Sequence, residues 1–227
     1  MRHIKKVQTS ESMVVGTLLA VAGGWLDAYT YVCRGHVFAN AQTGNVVLLG
    51  ISLSQGEFQH ALSALIPILA FVAGVGVAEL VKEKYGAKDQ TLFHWRHWMI
   101  GLEIAVLAVV SCVPVGDYDR MVNVAISLAC AVQFQTFRKV RGNPFSTTVC
   151  TGNMRSGTEA LCRYLKWRKW ADVHRAVCSY GVTVAFVGGA CLGAFVSIHW
   201  DAVSIPLVMI IYALVYVLML EDEHRYS

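Results

Sequence analysis

Six long apolar runs divide the chain, and short polar segments separate them. They lie at about 13–33, 61–81, 98–115, 119–137, 177–198 and 202–220. Because a helix needs about 20 mainly apolar residues to cross a hydrocarbon core roughly 30 Å thick, each run predicts a transmembrane helix. Two shorter apolar segments, 43–54 and 151–165, each begin with Thr-Gly-Asn and are too short to cross comfortably. The pattern predicts an all-α membrane protein with six transmembrane helices.

Composition and charge support this membrane topology. With 56% hydrophobic and 15% charged residues, the chain is not an ordinary soluble domain. Short loops rich in lysine and arginine stay in the cytoplasm. With six spans and a cytoplasmic N-terminus, all but two of the 19 lysines and arginines lie inside, and the exceptions are Arg34 and Arg120. We therefore expect both termini in the cytoplasm and an uncleaved first helix.

Matches in the same order link the two halves of the chain. At an offset of 108 residues, Met13-Val14 matches Met121-Val122, and Thr-Gly-Asn occurs at both 43–45 and 151–153. After seven inserted residues, Ala-Phe-Val-x-Gly at 70–74 matches the same pattern at 185–189. The matches predict internal repeats of about 13–115 and 119–220 within one integral membrane domain, 1–227. Because each half has three spans, the repeats should be inverted, as in many transporters.

An inverted repeat brings the two Thr-Gly-Asn segments in from opposite membrane faces. Extended residues 35–42 can reach the midplane, and a helix over 44–54 can climb back about 16 Å. Thr43 and Thr151 are the expected N-caps, while the amides of Asn45 and Asn153 suit freed backbone groups or a solute. Non-helical backbone at this depth is tolerated only inside protein or beside a watery cavity. We therefore expect two short re-entrant helices to meet near the centre.

Two acidic residues lie well inside predicted spans, Asp27 in the first and Glu103 in the third. An ionisable group at membrane depth is costly and usually faces a partner, a cavity or a relay. For Asp27 and Glu103, a structural hydrogen bond, the handling of a proton or cation, and exposure at the interface all stay open. Asn40 and Gln42, which precede the first tripeptide, complete the set of candidate substrate-binding residues around it.

Charged residues also line the second short segment. Arg155, Glu159 and Arg163 are spaced by four, so they share one face of a helix and can pair with one another. This face is either a solvated surface, or Arg155 joins the helix N-terminus in favouring an anion. The seven cysteines form no CxxC pair, and since Cys112, Cys130, Cys178 and Cys191 lie inside apolar runs, packing is their expected role. We expect no metal site, no cofactor and no enzyme, since neither HExxH nor GxSxG occurs.

Two blocks of sequence are similar to a known family. The run AGGWLDAYTYVCRGHVFANAQTGNVVLLG (22–50) and the run CTGNMRSGTEAL (150–161) resemble the YoaK family of bacterial inner-membrane proteins, whose shared domain has no assigned function. The resemblance implies a multi-pass protein of the bacterial inner (cytoplasmic) membrane. It implies no substrate and no reaction.

Two classes of function fit these observations. The inverted repeat and the paired re-entrant segments favour a small-solute transporter or channel, with its site where the two tripeptides converge. The alternative is a non-transporting scaffold, sensor or accessory protein that acts through a partner, because the loops are short and several helix faces carry small residues. Besides the lipid bilayer, the partners considered are a small polar or anionic solute and a second copy of the chain, but no nucleic acid.

Overall fold

The computed structural model describes residues 12–85, 95–137, 139–140, 143–144 and 150–224, which form eight helices. They are α1 (Met13–Cys33), α2 (Gln42–Ser54), α3 (Phe58–Tyr85), α4 (Trp95–Ser111), α5 (Asp119–Thr136), α6 (Cys150–Trp167), α7 (Trp170–His199) and α8 (Asp201–His224). Between α5 and α6, β1 (Lys139–Val140) pairs antiparallel with β2 (Asn143–Pro144) over two residues. The helical prediction is confirmed for all six long runs and both short segments. The basic residues at 2, 5, 6, 88, 138, 141 and 225, which entered the topology argument, lie outside the described residues.

Four helices in the described part of the chain are long and apolar enough to cross a membrane. They are α1, α3 over Phe58–Lys84, α7, and α8 over Val203–Leu220. Helix α4 has 17 residues, and α5 carries Asn123, Gln133 and Gln135 along its length. The chain is thus a helical protein with four candidate spans, and the crossing of the membrane by α4 and α5 stays a prediction.

Helix packing follows the same plan in both halves of the chain. Helix α1 packs on α7 and α8, and α5 packs on α3 and α4. Helix α2 packs on α3, and correspondingly α6 packs on α7. Two further contacts join the halves: α4 packs on α8, and α1 touches α5. Exchanging α1–α4 with α5–α8 therefore reproduces the principal helix contacts. The main hydrophobic core forms where α1, α4, α5 and α8 meet.

Glycines permit the closest of these helix contacts. A Cβ atom on Gly189 of α7 would lie 2.0 Å from the carbonyl oxygen of Val21 in α1, and one on Gly24 of α1 would lie 2.1 Å from that of Phe186. In the other half, a Cβ on Gly74 of α3 would lie 2.9 Å from the carbonyl oxygen of Leu128 in α5. Since Gly74 and Gly189 are matched in sequence, a glycine permits the close contact between the corresponding helices of each half.

Both predicted helix caps are wrong. Helix α2 begins at Gln42 with Ala41 as its N-cap, and α6 begins at Cys150, so Thr43 and Thr151 lie inside the first turns. Ala41 makes no side-chain cap bond. Threonine is only one of the groups that can satisfy the free N–H groups of a helix start. In α2 the carboxylate of Asp27 from α1 instead accepts hydrogen bonds from Asn40 and Ala41, the two residues before the helix.

Candidate functional site

Asp27, in the last third of α1, stabilises the chain where α2 begins. Its Oδ1 atom accepts hydrogen bonds from the backbone N–H of Asn40 at 2.6 Å and from that of Ala41 at 3.3 Å. The Asp27 side chain is 4% exposed, and its Oδ2 atom has no hydrogen-bond partner among the described residues. The positive end of the α2 dipole also favours a negative charge here. One carboxylate oxygen therefore holds the residues before the short helix, while the other is buried and has no described hydrogen-bond partner.

Asn45 holds the segment that leads into α2. Its Oδ1 atom accepts from the backbone N–H of Phe38 at 2.9 Å, and its Nδ2 atom donates to the carbonyl oxygen of Phe38 at 2.7 Å. Nδ2 also donates to Oε1 of Gln42, whose own Nε2 donates to the carbonyl oxygen of Ala39. Asn45 is fully buried. The asparagine of the first Thr-Gly-Asn therefore satisfies the backbone of a non-helical segment.

The start of α6 lies in the electrostatic field of this cluster. The thiol of Cys150, the first residue of α6, interacts electrostatically with the carboxylate of Asp27 beside the start of α2. Asn153 follows one turn later and is 4% exposed. It lies with Gly157 and Ala160 on the narrow buried edge of α6, where a Cβ atom on Gly157 would lie 2.9 Å from the ring of Tyr180 in α7. The charge of Asp27 thus reaches the start of both short helices, although α2 and α6 are not one of the principal packed pairs among the described residues.

Glu103 of α4 and Asp27 of α1 both interact with the same buried residue, Cys130 of α5. The Cys130 thiol interacts electrostatically with both Asp27 and Glu103, and lies beside the side chain of Asn40. The hydroxyl of Tyr212 in α8 also interacts with Glu103 and donates a 2.6 Å hydrogen bond to Oε1 of Gln133. Glu103 is 1% exposed, and neither carboxylate oxygen has a partner among the described residues.

Three predicted site residues lie elsewhere, at the surface. Thr43 and Thr151 are exposed. The Arg155 side chain is 81% exposed, and its Nε donates to Oε1 of Glu159 at 2.8 Å. This hydrogen bond and the charge of Arg155 hold the pKa of Glu159 below its usual value. Because its charge is shared with Glu159, Arg155 contributes less to binding an anion at the start of α6.

Sequence patterns do not single out several residues of the buried polar interior. Cys130, Gln133 and Tyr212 sit in apolar runs, where a thiol, an amide or a phenol is tolerated for packing as well as for polar contacts. Asp27 has Gln135 as its match in the second half, and the Nε2 atom of Gln135 donates to the carboxylate of Glu79 in α3. The matched positions thus serve different polar contacts, and only the three-dimensional arrangement distinguishes them.

Arg34, at the end of α1, is a second residue whose role becomes clear only in the structure. Its guanidinium donates to the hydroxyl of Tyr29, the carbonyl oxygens of Val113 and Pro114, and the carboxylate of Asp119. Burial lowers the pKa of Arg34, but the hydrogen bonds to Asp119 and Tyr29 outweigh it and raise that pKa overall. Arg34 therefore joins the end of α1 to the connection between α4 and α5. It is a structural group.

Similarity to known proteins agrees with a membrane protein of this kind. The model of a family described as "Protein of unknown function (DUF1275)" matches residues 15–219. The chain belongs to this family. It is also similar to the UPF0700 transmembrane protein YoaK of Bacillus subtilis (strain 168), with 29% identity over 161 residues, which cover 67% of this chain and 68% of that protein. No solved structure matches the chain. The resemblance to the YoaK family is thereby confirmed, and the function has to be argued from the site.

Proposed function

We propose that this member of the family is a small-solute transporter or channel of two inverted repeats, with its site between the starts of α2 and α6. The observation that carries the proposal is the arrangement around Asp27. A carboxylate about 9 Å inside the end of α1 satisfies the backbone N–H groups at which a non-helical segment becomes a short helix. Broken helices whose ends meet polar groups at depth are typical of transporter sites.

The packing plan supports the inverted repeat. Each half holds four helices, and exchanging the halves reproduces the principal helix contacts. If α4 and α5 cross the membrane with the other long helices, each half has an odd number of spans. The halves then point in opposite directions, and α2 and α6 enter from opposite faces.

The length and composition of the short helices support a re-entrant course. Helix α2 has 13 residues and is about 20 Å long, short of the roughly 30 Å that a span requires. Helix α6 has 18 residues but ends at Lys166 and Trp167, which suit the interface, and only Asn153, Gly157 and Ala160 are buried along it. Each helix is long enough to run between the centre of the membrane and one of its faces.

The side chains at the convergence suit a small polar solute. Asp27 provides a free carboxylate oxygen, Asn40 and Asn153 are buried amides, and Glu103 lies beyond Cys130. Gln42 and Asn45 position the backbone, and Thr43 and Thr151 in the first turns would line an approach from each side. Lys and Arg side chains are absent from the described contacts of Asp27 and Glu103, so a neutral or cationic solute fits better than an anion.

Transport can be tested with purified protein in liposomes. We expect a panel of small polar solutes to include at least one that enters faster than in protein-free liposomes. Asp27→Asn keeps a side-chain oxygen for Asn40 and Ala41 but removes the charge, so flux should fall while the protein stays folded. Val184→Ala, at an exposed position of α7, is the matched control and should transport as wild type.

One observation favours the alternative, a protein that acts through a partner. Helix α6 exposes Met154, Leu161 and Leu165 next to the Arg155–Glu159 pair, which gives an amphipathic surface. A partner that purifies in fixed ratio, is lost with Leu161→Glu and is kept with Asp27→Asn would favour this function. Liposomes that move none of the solutes would add to that result and contradict the transport proposal.

A further inference from the structure

Glu103 is a buried acidic side chain without a described partner. It is 1% exposed, both of its oxygens lack hydrogen bonds among the described residues, and it lies on the face of α4 that also carries Ile100 and Leu107, both fully buried. A bare carboxylate in such surroundings carries a large desolvation penalty, whereas a neutral carboxylic acid carries a much smaller one. The arrangement therefore needs a positive charge or a proton at Glu103.

We propose that Glu103 is the proton-binding group of the central site and exchanges its proton with water during the working cycle. The inference rests on the proposed transport function and adds to it the identity of the coupling ion. The step is a simple transfer. The carboxylate takes a proton from water open to one face of the membrane, and the carboxylic acid returns a proton to water open to the other.

The groups around Glu103 fit a proton better than a metal cation. The hydroxyl of Tyr212 in α8 and the thiol of Cys130 in α5 both interact electrostatically with Glu103, and that thiol also interacts with Asp27 of α1. Helix α3 contributes Glu79, whose carboxylate already accepts hydrogen bonds from Lys82 and Gln135. Hard cations such as Ca²⁺ and Mg²⁺ take about six or more oxygen ligands. In the described part of the chain, no group of three or more His, Cys, Asp or Glu residues could hold a metal ion.

Asp27 is the less suitable of the two carboxylates for this role. Its Oδ1 atom is bound by two backbone N–H groups at the start of α2, and these contacts and the helix dipole favour the charged form. Protonation of Asp27 would weaken the start of α2, whereas protonation of Glu103 breaks no hydrogen bond in the described structure. The structure therefore assigns Asp27 to holding the start of α2 and the exchanging proton to Glu103.

Infrared spectroscopy of the purified protein tests this inference without any transport measurement. We expect the wild type at neutral pH to show the C=O stretch of a protonated carboxylic acid, which disappears as the pH rises and shifts when H₂O is replaced by D₂O. The band should be lost in Glu103→Gln, kept in Asp27→Asn, and moved in frequency in Glu103→Asp, which retains a carboxyl group if the glutamine variant fails to fold.

Each result either supports or overturns the inference. A wild-type spectrum without the band, a band that survives in Glu103→Gln, or a band that never shifts in D₂O would overturn it, the last because the proton would not exchange. If the band behaves as expected but liposomes move no solute, the proton site stands and the transport proposal fails. If solute moves at a rate that a pH gradient does not change and the band is absent, only the proton inference fails.

Discussion

At the scale of single residues, Asp27 is the position where sequence and structure meet most directly. Its side chain is the only described acceptor for the backbone N–H groups of both Asn40 and Ala41. Asp27→Leu removes that acceptor, and a buried donor without a partner costs about 1–3 kcal/mol. We expect this variant to unfold at a lower temperature in detergent, while Asp27→Asn, which keeps an oxygen, unfolds near the wild-type temperature. Equal unfolding temperatures for wild type and Asp27→Leu would show that the contact does not stabilise α2.

Asn45 gives a second prediction at this scale. Asn45→Ala leaves the backbone N–H and carbonyl of Phe38 without their side-chain partner, and each lost bond costs on the order of 1 kcal/mol. Thr43→Ala, two positions earlier on an exposed surface of the same helix, is the matched control. Thermal unfolding should separate the two variants. A destabilisation by Thr43→Ala as large as that by Asn45→Ala would contradict the account of this segment.

The sequence carries part of this information about single residues. The cost of a charge at membrane depth identifies Asp27 and Glu103 as special, and the repeated tripeptide identifies Asn45 and Asn153. The partner of each side chain does not follow from the sequence, because it depends on which helices meet. Thr43 illustrates the limit, since its type suits a cap but the carboxylate of Asp27 from α1 reaches the helix start instead.

At the scale of helices, the close contact between α1 and α7 depends on Gly24, which has no side chain to separate them. Gly24→Ala would place a Cβ atom 2.1 Å from the carbonyl oxygen of Phe186, so the two helices must separate. Such overpacking costs about 1–3 kcal/mol. Gly188→Ala is the matched control, because a Cβ atom there meets nothing within 4 Å and alanine favours a helix by roughly 0.5–1 kcal/mol over glycine. Unfolding in detergent should therefore occur earlier for the first variant and no earlier for the second.

The equivalent interface between α3 and α5 should respond in the same way. Gly74→Ala would place a Cβ atom 2.7 Å from the Cβ of Ala131, whereas one in Gly76→Ala meets nothing within 4 Å. We expect Gly74→Ala to destabilise and Gly76→Ala to be tolerated, as measured by the same unfolding experiment. If Gly74→Ala has no effect while Gly24→Ala does, the two halves do not share the same close-packed contact.

Helix positions follow well from the hydrophobic pattern, and helix ends follow less well. The first run predicts 13–33, and α1 is Met13–Cys33. At its start the Ser12 hydroxyl oxygen accepts a hydrogen bond from the backbone N–H of Val15, and at its end the charged Arg34 is the C-cap. Helix α7 begins at Trp170, seven residues before the predicted run, because a helix continues past the apolar stretch while its residues remain compatible with helical backbone. Hydropathy reports the membrane-facing part of a helix, not its full length.

At the scale of the whole molecule, the packing plan is common to the two halves although few residues match. The offset of 108 residues pairs α1 with α5, and the later offset of 115 pairs α3 with α7, and the contacts follow these pairs. Which helices touch could not be read from the matches, since helix packing is set by many small contacts that no short motif records. The chemical difference between the halves, with Asp27 matched to Gln135, indicates that one half supplies the charge of the site.

Site-directed labelling from the two faces of the membrane tests the central claim most directly, namely that α2 and α6 enter from opposite sides. In a chain freed of its seven cysteines, Thr43→Cys and Thr151→Cys would each be exposed to a membrane-impermeant maleimide in intact cells and in inverted vesicles. Val184→Cys, on an exposed face of a long apolar helix, is the control and should react in neither. We expect Thr43→Cys to react from the outside only and Thr151→Cys from the cytoplasmic side only. Reaction of both from the same face would contradict the inverted repeat and, with it, the transport site.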